Sequence, residues 1–498
     1  MEPLRGRLKN CNVELDRGCA HIGVFTRMKR SVKLHRSTTS FSKNRLFGRT
    51  AVLPFLLSVI IAAGSARAEL DNLPVPEFEA RNLLNGMELL LLPSGEARLP
   101  FVLMIKNGAA FDPVDKWGLT YLMARMLLEG KEGRSGTPIQ ADLKSLGVEL
   151  QLTVHWDAIY FYGSAPAAKL QDSLNLLAET VVRPKFEEEM FEQLRTRMLE
   201  EIEAETPQIE ASSQKLLLSK LFAGNPYGHS RKGTPKMLKS LYFRDIKIQY
   251  RKLMIPNQAK LAFYHAGEPS ALFASLSRKW GSWVRKNSVP FTFRKAVSIK
   301  EKRIVLLDRP GDSAFFRWGK LGVKRGGRDY YALKIVEEYL NLSLPTWAEE
   351  VASEAQIQAL ASFEAFRMPG YIQLSLQASS GHLVPYLKRF IQSLKELQAG
   401  EVDLAKFEEA RQLTFLEFKR SLEDPKSRLF RLLDTSLYEL GIGYLTAYGR
   451  RLNRVQPKSI PAILDQYLSP DSFLLVIGGP ASKMKDDLEE LGAVEILN

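Results

Sequence analysis

Metal-assisted hydrolysis needs a cluster of imidazole, thiolate or carboxylate ligands, and a catalytic zinc site usually takes three from the protein. The 498-residue chain offers six histidines and two cysteines. Four of the histidines, His155, His229, His265 and His382, lie beyond residue 68, and no two are one helical turn apart. Each is expected to be a surface or locally hydrogen-bonded side chain. No G-x-S-x-G elbow is present, and neither is a P-loop nor a G-x-G-x-x-G fingerprint. Gly326-Gly327 reads as a turn between a strand and a helix.

Both cysteines, Cys11 and Cys19, precede an apolar run at 51–64, AVLPFLLSVIIAAG. Basic residues from Lys29 and Arg30 to Arg45 and Arg49 lie before that run. Ser65-Ala66-Arg67-Ala68 follows with the small-x-small pattern of a cleavage site. Residues 1–68 therefore read as a signal peptide, with Met28 as a second candidate start. The run is short for a membrane span, and an uncleaved anchor is the competing reading. Residues 1–68 hold 13 Lys or Arg and 3 Asp or Glu, so the remainder carries 57 basic and 53 acidic residues. Its net charge is +4, against +14 for the whole chain, and nucleic-acid binding is not expected from it. A mature chain without cysteine suits an oxidising compartment, and the periplasm is the expected location.

The elements that must position any site alternate between strands and amphipathic helices. Glu88–Leu92 and Phe101–Lys106 are strand-like, and a turn through Asn107-Gly108 and Asp112-Pro113 leads into a helix starting near Gly118. There Leu119, Leu122, Met123, Met126 and Leu127 form one apolar stripe. Strands are expected at Val148–Leu152 and Ile159–Tyr162, then helices at Leu170–Val181 and Phe186–Glu205. The order recurs in the second half: strands at Ile304–Leu307 and Phe315–Leu321, a helix at Asp329–Leu340, a strand at Tyr371–Leu376 and a helix at Leu383–Leu397. Phe191-Glu192-x-x-Arg195 returns about 216 residues later as Phe407-Glu408-x-x-Arg411, the mark of a duplicated unit. The expected fold is α+β: two homologous repeats, each an antiparallel-rich sheet packed against helices. The first repeat spans 69–285, a linker 286–302 and the second repeat 303–498.

Several short patterns carry a resemblance. Lys106-Asn107-Gly108, Asp112-Pro113, Gly118-Leu119-Thr120, Leu127-Leu128-Glu129-Gly130, Ser135-Gly136-Thr137 and Leu146-Gly147 stand in an order that resembles the first domain of the insulinase/pitrilysin zinc metallopeptidases. Asn225-Pro226-Tyr227-Gly228 resembles a loop of the processing-peptidase branch. That family's zinc motif is H-x-x-E-H on the first helix. The matching positions here are Tyr121, Ala124 and Arg125, so both histidines and the general-base glutamate are missing. Glu201 lies where the resemblance places the third ligand. A carboxylate there needs a partner; Arg125 is one candidate, with Glu129 competing for the arginine. Glu417 takes the same place in the second repeat. The family's substrate-holding Arg and Tyr align with Ala352 and Ala359.

The resemblance implies a non-catalytic subunit that holds no zinc itself. It would pair with a zinc-bearing sister chain, or with a second copy, to enclose peptide substrates in the periplasm. A structural protein of the cell envelope is the alternative. A degenerate but active peptidase would have to work without metal ligands or general base. No stable membrane anchor is expected if the leader is cleaved.

Overall fold

The computed structural model describes residues 73, 76–129, 139–206, 208–352 and 357–497. The expected leader, Gly130, Ser135-Gly136-Thr137 and Pro207 lie outside the described residues, as does the side chain of Glu129.

In the first half, β1 (Glu79–Asn82), β2 (Glu88–Pro93) and β3 (Arg98–Ile105) lead to α1 (Leu119–Glu129) and α2 (Ile139–Ser145). The hairpin β4 (Gln151–Val154) and β5 (Ile159–Pro166) follows, then α3 (Leu170–Val182), α4 (Glu188–Glu205) and α5 (Ile209–Leu221). Helices α6 (Pro235–Lys239) and α7 (Phe243–Leu253), strand β6 (Ala259–His265) and helix α8 (Pro269–Trp280) complete it. Residues 284–300 form no helix or strand. The second half contains β7 (Lys302–Asp308), β8 (Ser313–Leu321), α9 (Tyr330–Val351), β9 (Gln358–Glu364), β10 (Tyr371–Ser379), α10 (Ser380–Gln398), α11 (Leu404–Glu423) and α12 (Pro425–Leu437). It ends with α13 (Gly443–Thr446), α14 (Tyr448–Asn453), α15 (Ile460–Leu468), β11 (Phe473–Gly479), α16 (Ala481–Glu489) and β12 (Val494–Leu497).

The sheets run β1-β2-β6-β3-β5-β4 and β12-β7-β11-β8-β10-β9. Their five common strands occupy the same order, so the duplication inferred from the helical motif is also a duplication of topology. In both sheets the late strand inserts between two early ones, with β6 parallel to β2 and β11 parallel to β7. The outermost strand breaks the symmetry: β1 is antiparallel to its neighbour, whereas β12 is parallel. The repeated motif folds identically. Arg195 bonds Glu192 and lies 5.1 Å from the Phe191 ring centre; Arg411 bonds Glu408 and lies 5.8 Å from that of Phe407.

Several boundaries move. The helix expected to end at Leu340 continues through Pro345 to Val351, because Leu344 and Trp347 remain buried on the same face. Tertiary packing there outweighs the lost backbone donor. The strand expected at Val148–Leu152 is Gln151–Val154, in register with Ile159–Tyr162 of β5.

The halves exchange helices. α5 of the first repeat packs on β8 and β11, and α12 of the second packs on β3 and β6, the equivalent strands. Glycines make the first contact possible: a Cβ at Gly319 would lie 2.8 Å from Leu217, and one at Gly478 would lie 2.3 Å from Ile209. Leu217 and Leu221 of α5 are buried, each stabilising the junction by about 1.5–3 kcal/mol. On the other side Phe430 meets Tyr160 and Tyr162, each at 5.3 Å between ring centres.

Candidate functional site

α1 carries the candidate positions, and its start is fixed by a buried carboxylate. Asp112 accepts from the Gly118 and Thr120 amides, both at 2.8 Å, and from the Thr120 hydroxyl at 2.5 Å. Gln249 of α7 donates to Thr120 Oγ1 at 2.8 Å. Burial pushes the Asp112 carboxyl up to about 7, although its Thr120 and Gly118 donors favour the anion. Gly118 has φ +93, and a Cβ there would sit 2.5 Å from the Lys232 carbonyl oxygen. The chain turns into α1 only with glycine at that point.

The apolar stripe Leu119, Leu122, Met123, Met126 and Leu127 is buried. Tyr121 and Arg125, one turn apart, are half-buried. Ala124, at the general-base position, has 0% exposure, so a methyl packs where the resemblance would require a carboxylate. Arg125 Nη1 donates to Glu201 Oε1 at 2.8 Å. The guanidinium therefore engages the carboxylate that would be the third zinc ligand. The side chains are 20% and 40% exposed, which limits the pair to about 0–1 kcal/mol. One turn beyond, Glu205 accepts from Lys232 at 2.7 Å and Lys215 at 3.1 Å.

The second repeat carries a related pairing. Lys334 of α9 bonds Glu337 at 2.5 Å. Burial would lower the Lys334 pKa, but the Glu337 and Glu417 carboxylates reverse that and hold it above its usual range. In both halves the first long helix thus carries a cation favoured by a glutamate of the later helix, through a hydrogen bond for Arg125 and through charge for Lys334, whose bonded partner Glu337 is on its own helix. In that light Arg125–Glu201 ties two helices together.

A zinc ion does not fit the first-repeat site. An arginine has no lone pair to offer, and its fixed positive charge opposes a cation. Among the described residues no three His, Cys, Asp or Glu side chains gather as metal ligands. The expectation of surface or locally bonded histidines holds for His382 and for His229, whose Nδ1 lies 3.1 Å from the Ser230 carbonyl, and needs correction for His155 and His265. His155, His229 and His265 are buried, and His382 is exposed, with its Nδ1 2.7 Å from Ser379 Oγ. His229 stacks on Trp117 at 5.2 Å. Burial, with Arg231 and Arg325 nearby, lowers His155 to about 3. The two substrate-pair positions are apart in kind: Ala352 ends α9, and Ala359 pairs with Leu376 in the β9–β10 ladder. Neither methyl group can hold a substrate by charge or hydroxyl.

Sequence reasoning missed the polar junction between the halves. Asp157, in the β4–β5 turn, accepts from Tyr227 Oη at 2.5 Å and from the Arg367 amide at 2.9 Å. Burial raises its pKa to about 6, opposed by those donors. Trp156, Tyr227 and Phe366 pack around it with ring centres 5.1–5.7 Å apart. His155, Arg325 and Asp434 line a cavity of about 50 Å³ beside them, and Arg325 bonds Asp434 at 2.8 Å. An aspartate following His-Trp in a turn was the only local signal.

Residues 97–235 match the model of the insulinase family, peptidase family M16, and residues 243–414 match that of the peptidase M16 inactive domain. The chain belongs to the M16 family. Cytochrome b-c1 complex subunit 1 of Caenorhabditis elegans is 24% identical over 204 residues, 41% of this chain and 43% of that protein. The probable mitochondrial-processing peptidase subunit beta of Arabidopsis thaliana is 21% identical over 35% of this chain and 33% of its own. The aligned part thus spans less than half the length of these relatives. Among solved structures, the peptidase M16 inactive domain from Pseudomonas fluorescens superposes with TM-score 0.71 at 18% identity, over 81% of this chain and 98% of that one. The periplasmic protease PqqL from Escherichia coli gives 0.65 at 12% identity, over 84% of this chain and 50% of PqqL. These likenesses support the fold.

Proposed function

We propose that the chain is a non-catalytic M16 subunit, exported to the periplasm and paired with a zinc-bearing sister chain to form a peptide-degrading or processing protease. The carrying observation is the Arg125–Glu201 ion pair. It occupies the one carboxylate left of the family's ligand set, while Tyr121 and Ala124 supply neither a metal ligand of the family's kind nor a general base. In this reading zinc belongs to the partner alone. The match to half of PqqL supports it, because a two-repeat chain then corresponds to one half of a longer protease.

A structural role in the cell envelope is the second reading. Cytochrome b-c1 complex subunit 1 from several organisms is among the relatives found, which favours it.

Native mass analysis of the protein purified from its own cells, with metal content and co-purifying chains identified, separates the two. A one-to-one complex with an H-x-x-E-H chain and one zinc per complex is the result expected. A lone chain or a pair of identical chains without zinc would favour the structural role. Stoichiometric zinc in the isolated chain, with chelator-sensitive cleavage, would overturn both.

A further inference from the structure

Charge is distributed unevenly beyond the expected leader. Residues 231–303 contain 18 Lys or Arg and 3 Asp or Glu, a net of +15, whereas the rest of the chain after residue 68 carries −11. Much of this excess reaches the surface. On α7, Arg244, Lys247, Ile248 and Arg251 are all exposed at i, i+3, i+4 and i+7, one face of the helix. Ile248 is 58% exposed, and Tyr242 at the helix start is 62% exposed, with Arg244 5.1 Å above its ring centre. Lys236 and Lys239 of α6 are exposed just before it.

The linker joins this face. Trp283 Nε1 donates to the Met254 carbonyl at 3.1 Å, just past the end of α7. Phe291 and Phe293 pack on Phe111 at 5.9 and 5.2 Å, and Lys252 of α7 donates to the Phe111 carbonyl at 3.0 Å. Exposed Val284, Arg285 and Lys286 are therefore held beside the C-terminal end of α7. The acidic start of α4 lies near the helix through Phe191–Phe243; Glu187 and Glu192 there are engaged by Lys185 and Arg195, while Glu188 and Glu189 of its first turn are exposed and set the acidic limit of the basic face.

We infer that the outer face of α7 and the start of the linker form a peripheral docking surface for an anionic phospholipid bilayer. Clustered cations interleaved with exposed Tyr242, Ile248 and Val284 match a headgroup region, where phosphates take the charges and the acyl boundary takes the apolar side chains. No helix among the described residues is long and apolar enough to cross a membrane, so attachment through this face is superficial and reversible.

The test is co-sedimentation of the purified protein with vesicles of equal parts phosphatidylglycerol and phosphatidylcholine, against phosphatidylcholine alone. Binding is expected only to the anionic vesicles, and it should be lost near 1 M salt, where the screening length falls to about 3 Å. Each cation contributes a factor of about five at such a surface, so Arg244→Ala/Lys247→Ala/Arg251→Ala lowers partitioning by roughly a hundredfold. A control of the same charge change, Arg450→Ala/Arg454→Ala/Lys458→Ala, should bind as the parent does, with both variants keeping the parent's helix content. Failure to bind anionic vesicles at low salt overturns the inference, as does equal loss in both triple variants. Binding to an acidic protein or a nucleic acid through this face, without binding to vesicles, also overturns it.

Discussion

His155 provides a measurable acid sensitivity at the junction between the halves. Its ring is buried among Trp156 and Phe366, at 5.6 and 5.4 Å. Burial and the neighbouring Arg231 and Arg325 lower its pKa from 6.5 to about 3. A base whose folded pKa is depressed stays neutral in the native protein, while the unfolded chain takes up a proton below 6.5. Its contribution to stability is therefore complete above that value and is lost progressively down to about 3. Between about pH 7 and pH 5 the loss is about 2 kcal/mol. Asp112 and Asp157 act in the opposite direction. Their carboxyls are raised to about 7 and 6, so the folded protein gains relative stability as it binds protons ahead of the unfolded chain. The parent's net pH dependence mixes these terms, but a neutral replacement isolates one of them. His155→Gln should be about 2 kcal/mol less acid-sensitive than the parent over that interval, as measured by urea denaturation at both pH values. Parallel pH dependence in the two proteins would mean that His155 is protonated in the native state and would refute the account.

Other substitutions probe the remaining features. Arg125→Ala should change stability by less than about 1 kcal/mol, because the pair with Glu201 is partly exposed; thermal denaturation checks this. Tyr121→His/Arg125→His should create a His, His, Glu donor set with Glu201 and bind one zinc by calorimetry, without peptide cleavage. Adding Ala124→Glu should then lower the melting temperature sharply, since that position is fully buried. Asp157→Ala removes the acceptor of the Tyr227 O–H and of the Arg367 N–H, leaving Tyr227 only the bond it accepts from the Met368 amide, and should cost about 2–4 kcal/mol in urea denaturation. Gly118→Ala forces a positive φ on a residue with a Cβ and brings that Cβ against the Lys232 carbonyl; a loss of at least about 2 kcal/mol is expected in the same assay.

By itself the sequence determined the class of fold, the duplication and the absence of an H-x-x-E-H motif, because each is written in local residue types. The stripe of α1 follows from helical periodicity, the repeated Phe-Glu-x-x-Arg from side chains within one turn, and the lost motif from the identities of Tyr121, Ala124 and Arg125. Only the tertiary structure decided what depends on distant parts of the chain meeting. It brought Arg125 to Glu201 across 76 positions and carried α5 and α12 onto each other's sheets. It also buried three histidines that periodicity could not place, and closed Asp157 under Tyr227 and the Arg367 amide. Local pattern specifies which face of an element is apolar. Which partner covers that face depends on packing between elements far apart in the chain, and no short-range signal encodes it.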